Sequence, residues 1–274
     1  MKSFGLALSY LLPALYFCAV LLYFLIFFRK KKHLEYLTTY FLGVLVAVHV
    51  VNMTIRWFAL HVVPVSTVFD AMSFLAFAIL VVYFIIELSI KNKASGFFIM
   101  SFAFVAEVTS AINYNWKPET NELLTNTPFA IHASLNIVGY TALSLSAIYA
   151  LLYIIQNRNM KLRRFNVIYD QLPALTYLEM MSIRSVLIGI VLTGCGLMLG
   201  HYQTHQVFDK IWLSDPKVIV SDLVWLFYVL GYIGARVFRW RGRWMAYLSL
   251  SGFTALMLGG VIVVFFADSF HEFF

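Results

Sequence analysis

Eight stretches of this 274-residue chain are apolar for about the 20 residues that a helix needs to cross roughly 30 Å of hydrocarbon. They fall at about 5–28, 36–58, 67–90, 95–113, 130–155, 183–201, 218–238 and 244–267. Such segments are confined to helices by their own backbone, because hydrocarbon offers no partner for an unpaired N–H or C=O. With 62% of residues hydrophobic and 12% charged, too little polar surface remains to cover a water-soluble globule. The expectation is one integral membrane domain over 1–274, all-α, a polytopic bundle of about eight transmembrane helices.

The basic residues orient that bundle, since cytoplasmic loops collect Lys and Arg. Alternate connections hold Arg29 to Lys32, Lys91, Lys93, Arg158, Lys161, Arg163, Arg164, Arg184, Arg236, Arg239, Arg241 and Arg243, 15 of the 20 basic residues. Only Lys2, Arg56, Lys117, Lys210 and Lys217 fall on the other side, which predicts both termini outward. The net charge of +7 follows from that asymmetry and gives no reason to expect nucleic acid as a partner; the surroundings are membrane lipid. The first stretch has no small-residue cleavage site behind it and reads as an uncleaved helix. Cys18 and Cys195 both lie in apolar stretches and are too few for a disulfide framework or a CxxC motif.

Three outer connections, 59–70 with Pro64, 114–129 ending near Pro128, and 202–217, are long enough to carry function. On the inner side, 161–182 reads as a short helix lying in the interface. Trp57, Trp116, Trp212, Trp240 and Trp244 fall near span ends, where indole rings settle at headgroup level. Gly194, Gly196, Gly200, Gly231 and Gly234 are expected to let helices approach closely.

Six of the seven histidines fall in the outer half, His33 being the exception. His132 opens the fifth stretch and His271 follows the eighth, so both sit at the outer boundary. Either they are interfacial side chains or, if the bundle joins those helix ends, they form a pair of axial ligands for one heme iron. His201 and His205 share a face at i, i+4 if that helix continues, a possible separate metal pair with Asp209 as the nearby third ligand; the alternative is two solvated imidazoles. His61 reads as a loop residue. His49 lies within the second stretch, where an imidazole either lines a cavity or makes an interhelical hydrogen bond, and Glu107 and Asp222 raise the same question for carboxylates. Glu87 is expected at the inner interface with Lys91 one turn on.

The last third reads Trp212-Leu213-Ser214-Asp215-Pro216-Lys217, then Trp225-Leu226-Phe227-Tyr228, Trp240-Arg241-Gly242-Arg243, Ala246-Tyr247-Leu248 and finally His271. In that order and spacing it resembles the cytochrome c assembly family, the CcsA, CcmC and HemX group of heme-handling membrane proteins. Pro64, the run Phe69-Asp70-Ala71-Met72-Ser73-Phe74-Leu75, and His132 followed by Ser134, Gly139 and Tyr140 extend the resemblance to about 60–274. The resemblance implies heme b held at the outer face of a bacterial inner membrane and offered to apocytochrome c. It also implies a CcsB-like membrane subunit and outer thiol-reducing proteins as partners, with any lyase activity shared among them.

Carried onto this chain, the implied axial ligands are His132 and His271. Trp212 and Asp215 fall in the heme-facing segment, and Arg56, Lys210 and Lys217 are the outer cations for propionates, with His49 a further candidate. Two departures matter. Heme-delivering members carry a tryptophan-rich segment before Asp-Pro-Lys, whereas this chain has Gln203-Thr204-His205-Gln206-Val207-Phe208 and keeps only Trp212. They also carry an inner histidine where this chain runs Gly231-Tyr232-Ile233-Gly234-Ala235-Arg236. Both place it nearer the short HemX-like branch, which leaves a regulatory or accessory role beside heme delivery, and a transporter as a third reading.

Overall fold

The computed structural model describes residues 2–60, 65, 67–90, 93–114, 127–208 and 215–266, with side chains for all of these except 2–4, 59–60, 127, 204–208 and 261–266. Among the described residues there are nine α-helices and no strand: α1 Lys2–Arg29, α2 Glu35–Leu60, α3 Val68–Ser89, α4 Gly96–Ile112, α5 Thr127–Lys161, α6 Val167–Gln171, α7 Leu175–Phe208, α8 Pro216–Val237 and α9 Arg243–Phe266. Six helices, α1, α2, α3, α5, α7 and α8, are long and apolar enough to cross a membrane, and α4 is a shorter apolar helix. Large apolar side chains such as Val44, Val191, Leu223, Leu230 and Leu258 stand on the exterior, each more than half exposed, as helices solvated by lipid require.

Contacts divide the chain into two units, residues 1–125 with 159–173 and residues 126–158 with 174–274. In unit 1, α1 packs on α2 and α4, and α3 packs on α2 and α4. Its interior is aromatic and polar at once: Tyr16, Tyr23, Phe27 and Tyr83 are buried, with Tyr23 and Tyr83 edge to face at 5.5 Å. The start of α3 is fixed by a reciprocal cap, in which Thr67 Oγ1 accepts from the Asp70 backbone N–H at 3.1 Å and donates to Asp70 Oδ2 at 2.7 Å.

In unit 2, α8 packs on α7 and α9. Glycines make the close approaches: a Cβ at Gly139 would strike Thr193, at Gly189 Leu143, at Gly194 Trp225, and at Gly231 Leu248. Gly234 departs from expectation, since the nearest side chain to a Cβ there is Phe238, the residue just after its own helix, at 4.0 Å. Ser146, Ser182 and Ser249, from α5, α7 and α9, close a buried hydroxyl cluster with separations of 2.9 to 3.2 Å. Each hydroxyl thereby finds a partner inside an otherwise apolar packing layer of Leu143, Val186, Val224 and Tyr228.

Helix α7 runs past the apolar stretch, 183–201, that predicts it. The expected interfacial helix over 161–182 resolves into the five-residue α6 and the first two turns of α7. Those turns carry Thr176, Glu179 and Ser182, which lower the hydropathy of the helix, and the fold uses the last two. Glu179 Oε1 accepts the Gly242 N–H at 2.6 Å, at a backbone φ of +62° that only glycine takes without strain. Helices α1, α5 and α8 end with Lys30, Arg163 and Arg239 at positive φ. In each case the next residue's N–H returns to a carbonyl of the last turn, as in Lys31 to Leu25, Arg164 to Asn159 and Trp240 to Ala235.

Candidate functional site

His132 lies in the first turns of α5, pressed on α7. A Cβ at Gly200 would collide with its ring and a Cβ at Gly196 with Asn136, so two glycines of α7 open the groove that both side chains enter. His132 Nδ1 donates to the Gly196 carbonyl at 2.6 Å, which fixes the tautomer and leaves the Nε2 lone pair as the acceptor. Asn136, one turn along, directs its amide N–H₂ toward that nitrogen at 3.4 Å, while its own Oδ1 is enclosed without a hydrogen-bond partner among the described residues. A backbone carbonyl that takes one ring N–H sets tautomer and ring orientation, as it does for many metal-ligating imidazoles.

The same unit holds His201, whose Nε2 lies 3.1 Å from Asp222 Oδ1, and both side chains are partly exposed. Asp222, a carboxylate within a span, thus has an imidazole as its partner. Helix α7 continues past residue 205, as the i, i+4 reading of His201 and His205 requires, but the His205 side chain and Asp209 lie outside the described residues. Among the described residues no three His, Cys, Asp or Glu side chains gather as a metal set. The Asp-Pro-Lys motif is the start of α8: Asp215, 2% exposed, is the N-cap and accepts the Lys217 backbone N–H at 2.8 Å, with Pro216 at the first helical position. Trp225 on α8 donates its indole N–H to the Ile190 carbonyl at 2.9 Å. His271, Trp212, Lys210 and His61 lie outside the described residues.

Arg56 and His49 belong to unit 1. Arg56 is 4% exposed and ion-paired with Asp70, its guanidinium 4.4 Å from the centre of the Phe69 ring. It is thereby engaged by a carboxylate across the connection between α2 and α3. His49 is wholly buried, with Nδ1 3.0 Å from Tyr16 Oη and Nε2 3.0 Å from Ser73 Oγ, so binding iron would break one of those bonds. Glu87, in the last turn of α3, is buried, with Lys93 at 3.0 Å as a cation and Tyr23 and Thr39 donating to it, while Lys91 lies outside the described residues. A buried carboxylate needs several donors at once, and Tyr23 of α1, Thr38 and Thr39 of α2 and Lys93 supply them together.

Asn136 and the Gly196 carbonyl escape the sequence reading. Asn136 was findable, four residues from His132 and hence on its face. A carbonyl acceptor leaves no trace in residue identity.

These elements define a multi-pass helical membrane protein with an imidazole set at the end of a helix and a capped Asp-Pro-Lys helix start in the same unit. Residues 65–271 match the family described as "Cytochrome C assembly protein". The chain belongs to that family, whose work is cytochrome c biogenesis. It is 27% identical over 221 residues to Protein HemX of Brevibacillus brevis, covering 79% of this chain and 80% of that one. It is 26% identical over 276 residues to the cytochrome c biogenesis protein CcsA of Prochlorococcus marinus strain MIT 9312, covering 90% of this chain and 87% of the relative. A CcsA of Heterosigma akashiwo strain NIES-293 is 19% identical over 254 residues.

Proposed function

We propose that this protein holds heme b at the outer face of a bacterial inner membrane and presents it for covalent attachment to apocytochrome c. The observation that carries the reading is the seating of His132: Nδ1–H on the Gly196 carbonyl, Nε2 left as a lone pair with the neutral Asn136 amide at 3.4 Å, and the Asn136 oxygen enclosed without a hydrogen-bond partner among the described residues. Those residues fit one axial position. His271, which follows α9 in sequence, is the second ligand of this proposal. When bound, heme supplies an iron for the two imidazoles and a vinyl edge at which thioether bonds form.

The chain's own residues hold and orient. Gly196 and Gly200 keep the His132 ring in its groove, and the Gly196 carbonyl fixes the tautomer. Asp215 caps the start of α8, and Lys217 in its first turn brings a cation for a propionate. In this reading α1 to α5 and α7 to α9 are the eight spans, both termini face outward, and 15 of the 20 basic residues stay inside. The partners are a CcsB-like membrane subunit, apocytochrome c and outer thiol-reducing proteins.

A second reading, an accessory or regulatory membrane protein without heme delivery, is favoured by the run Gln203 to Phe208, which has no tryptophan. Deleting the gene separates the two. Heme delivery predicts that covalent c-type cytochromes disappear while b-type cytochromes persist. Intact c-type cytochromes with an altered amount of glutamyl-tRNA reductase would establish the second reading instead.

A further inference from the structure

Unit 1 contains a chain of four proton-carrying groups, one from each of its four long helices. Tyr16 Oη on α1 is 3.0 Å from His49 Nδ1 on α2, His49 Nε2 is 3.0 Å from Ser73 Oγ on α3, and Ser73 Oγ is 3.2 Å from Glu107 Oε2 on α4. Their exposures are 0%, 0%, 4% and 1%, so water reaches none of them from the surface. A scaffold needs only fixed donors and acceptors, which serines and amides supply, as the Ser146 cluster of unit 2 does. This chain instead places an imidazole and a carboxyl on either side of one hydroxyl. Ionisable groups at this depth are costly and tend to serve a pathway or relay.

A second feature lies beside the chain. A cavity of about 10 Å³, room for one water, is lined by Asn52, Met53, Arg56, Phe69, Asp70 and Ser73. Ser73 belongs to both the cavity wall and the chain. The groups facing the pair are Tyr16 from α1, His49 and Arg56 from α2, and Asp70 and Ser73 from α3, while Tyr114, after α4, has its ring 5.9 Å from the Arg56 guanidinium. Arg56 is ion-paired with Asp70, and among the described residues no ion pair includes Glu107.

We propose that unit 1 carries a proton-exchange site in which Glu107 and His49 share one proton through the Ser73 hydroxyl and exchange it with water through the cavity beside Arg56 and Asp70. The transfer is balanced. The Glu107 carboxyl proton passes to Ser73 Oγ as the Ser73 hydroxyl proton passes to His49 Nε2. His49 Nδ1–H then donates to Tyr16 Oη, and the pair changes from neutral acid and imidazole to carboxylate and imidazolium with no net charge gained. The site uses none of His132, Lys217 and His271, on which the proposed function rests, and does not depend on that reading.

Infrared spectroscopy of the purified full-length protein tests it. The bands of the site are those lost in both Glu107→Gln and His49→Gln, and their hydrogen–deuterium exchange is followed after transfer to D₂O. The expected result is rapid exchange in the wild type, slowed by about tenfold or more in Ser73→Ala and in the cavity-filling Asn52→Leu, and restored in Ser73→Thr, which returns the hydroxyl. A site that does not exchange in the wild type, or exchanges equally fast in Ser73→Ala, would overturn the relay. Slowing in Ser73→Ala but not in Asn52→Leu would overturn the cavity route.

Discussion

Unit 1 and unit 2 bury polar groups to opposite ends. In unit 1 charge answers charge in the interior: Arg56 with Asp70, and Glu87 with Lys93. In unit 2 the interior is glycine, aliphatic side chains and a serine cluster, while the ionisable groups His132, His201, Asp215 and Asp222 lie near helix ends. The difference separates structural from available polarity. A buried charge whose partner is a charge is committed to the fold, whereas an imidazole held by a neutral carbonyl keeps a lone pair to offer.

The largest test of this contrast is Arg56→Ala, which strands the Asp70 carboxylate and is expected to cost about 3–5 kcal/mol, read as a lower Tm or loss from the membrane. The double variant Arg56→Leu with Asp70→Leu should regain most of that, since well-packed apolar residues replace such pairs at little loss. A single variant as stable as wild type would mean that the pair is not closed in the membrane.

Gly200→Leu comes next. It drives a side chain into the His132 ring and is expected to cost about 1–3 kcal/mol, read as a lower Tm, while displacing the imidazole from the Gly196 carbonyl. Gly234→Leu, where a Cβ meets only Phe238 at 4.0 Å, should leave both stability and any heme spectrum unchanged. Equal effects at the two positions would remove the groove from the account.

The smallest effect belongs to His201→Gln. The pair with Asp222 is partly exposed, at 27% and 31%, and its loss should change stability by less than about 1 kcal/mol. A cost as large as that of Arg56→Ala would show that unit 2 also rests on an ionic interior.

The helices were legible because membrane spans announce themselves by length and apolarity, and the helix start at Asp215 by its cap and proline. The extra turns of α7 were not, since the partners of Glu179 and Ser182, Gly242 for the first and Ser146 and Ser249 for the second, are remote in sequence. Partner choice was the least legible. Nothing local tells Glu87 to take Lys93 or Arg56 to take Asp70, because both pairings are made by the packing of neighbouring helices. His132 stood out by its place at a helix start, whereas its tautomer depended on a backbone oxygen 64 residues away.

The central claim is that His132 offers Nε2 to a heme iron. The absorption spectrum of the purified protein, oxidised and dithionite-reduced, compared with His132→Ala and His271→Ala, tests it most directly. The account predicts a low-spin b-type spectrum in the wild type that is lost or becomes high-spin in both variants. A wild type that stays heme-free after hemin is added, or a low-spin spectrum that survives His132→Ala, would contradict it.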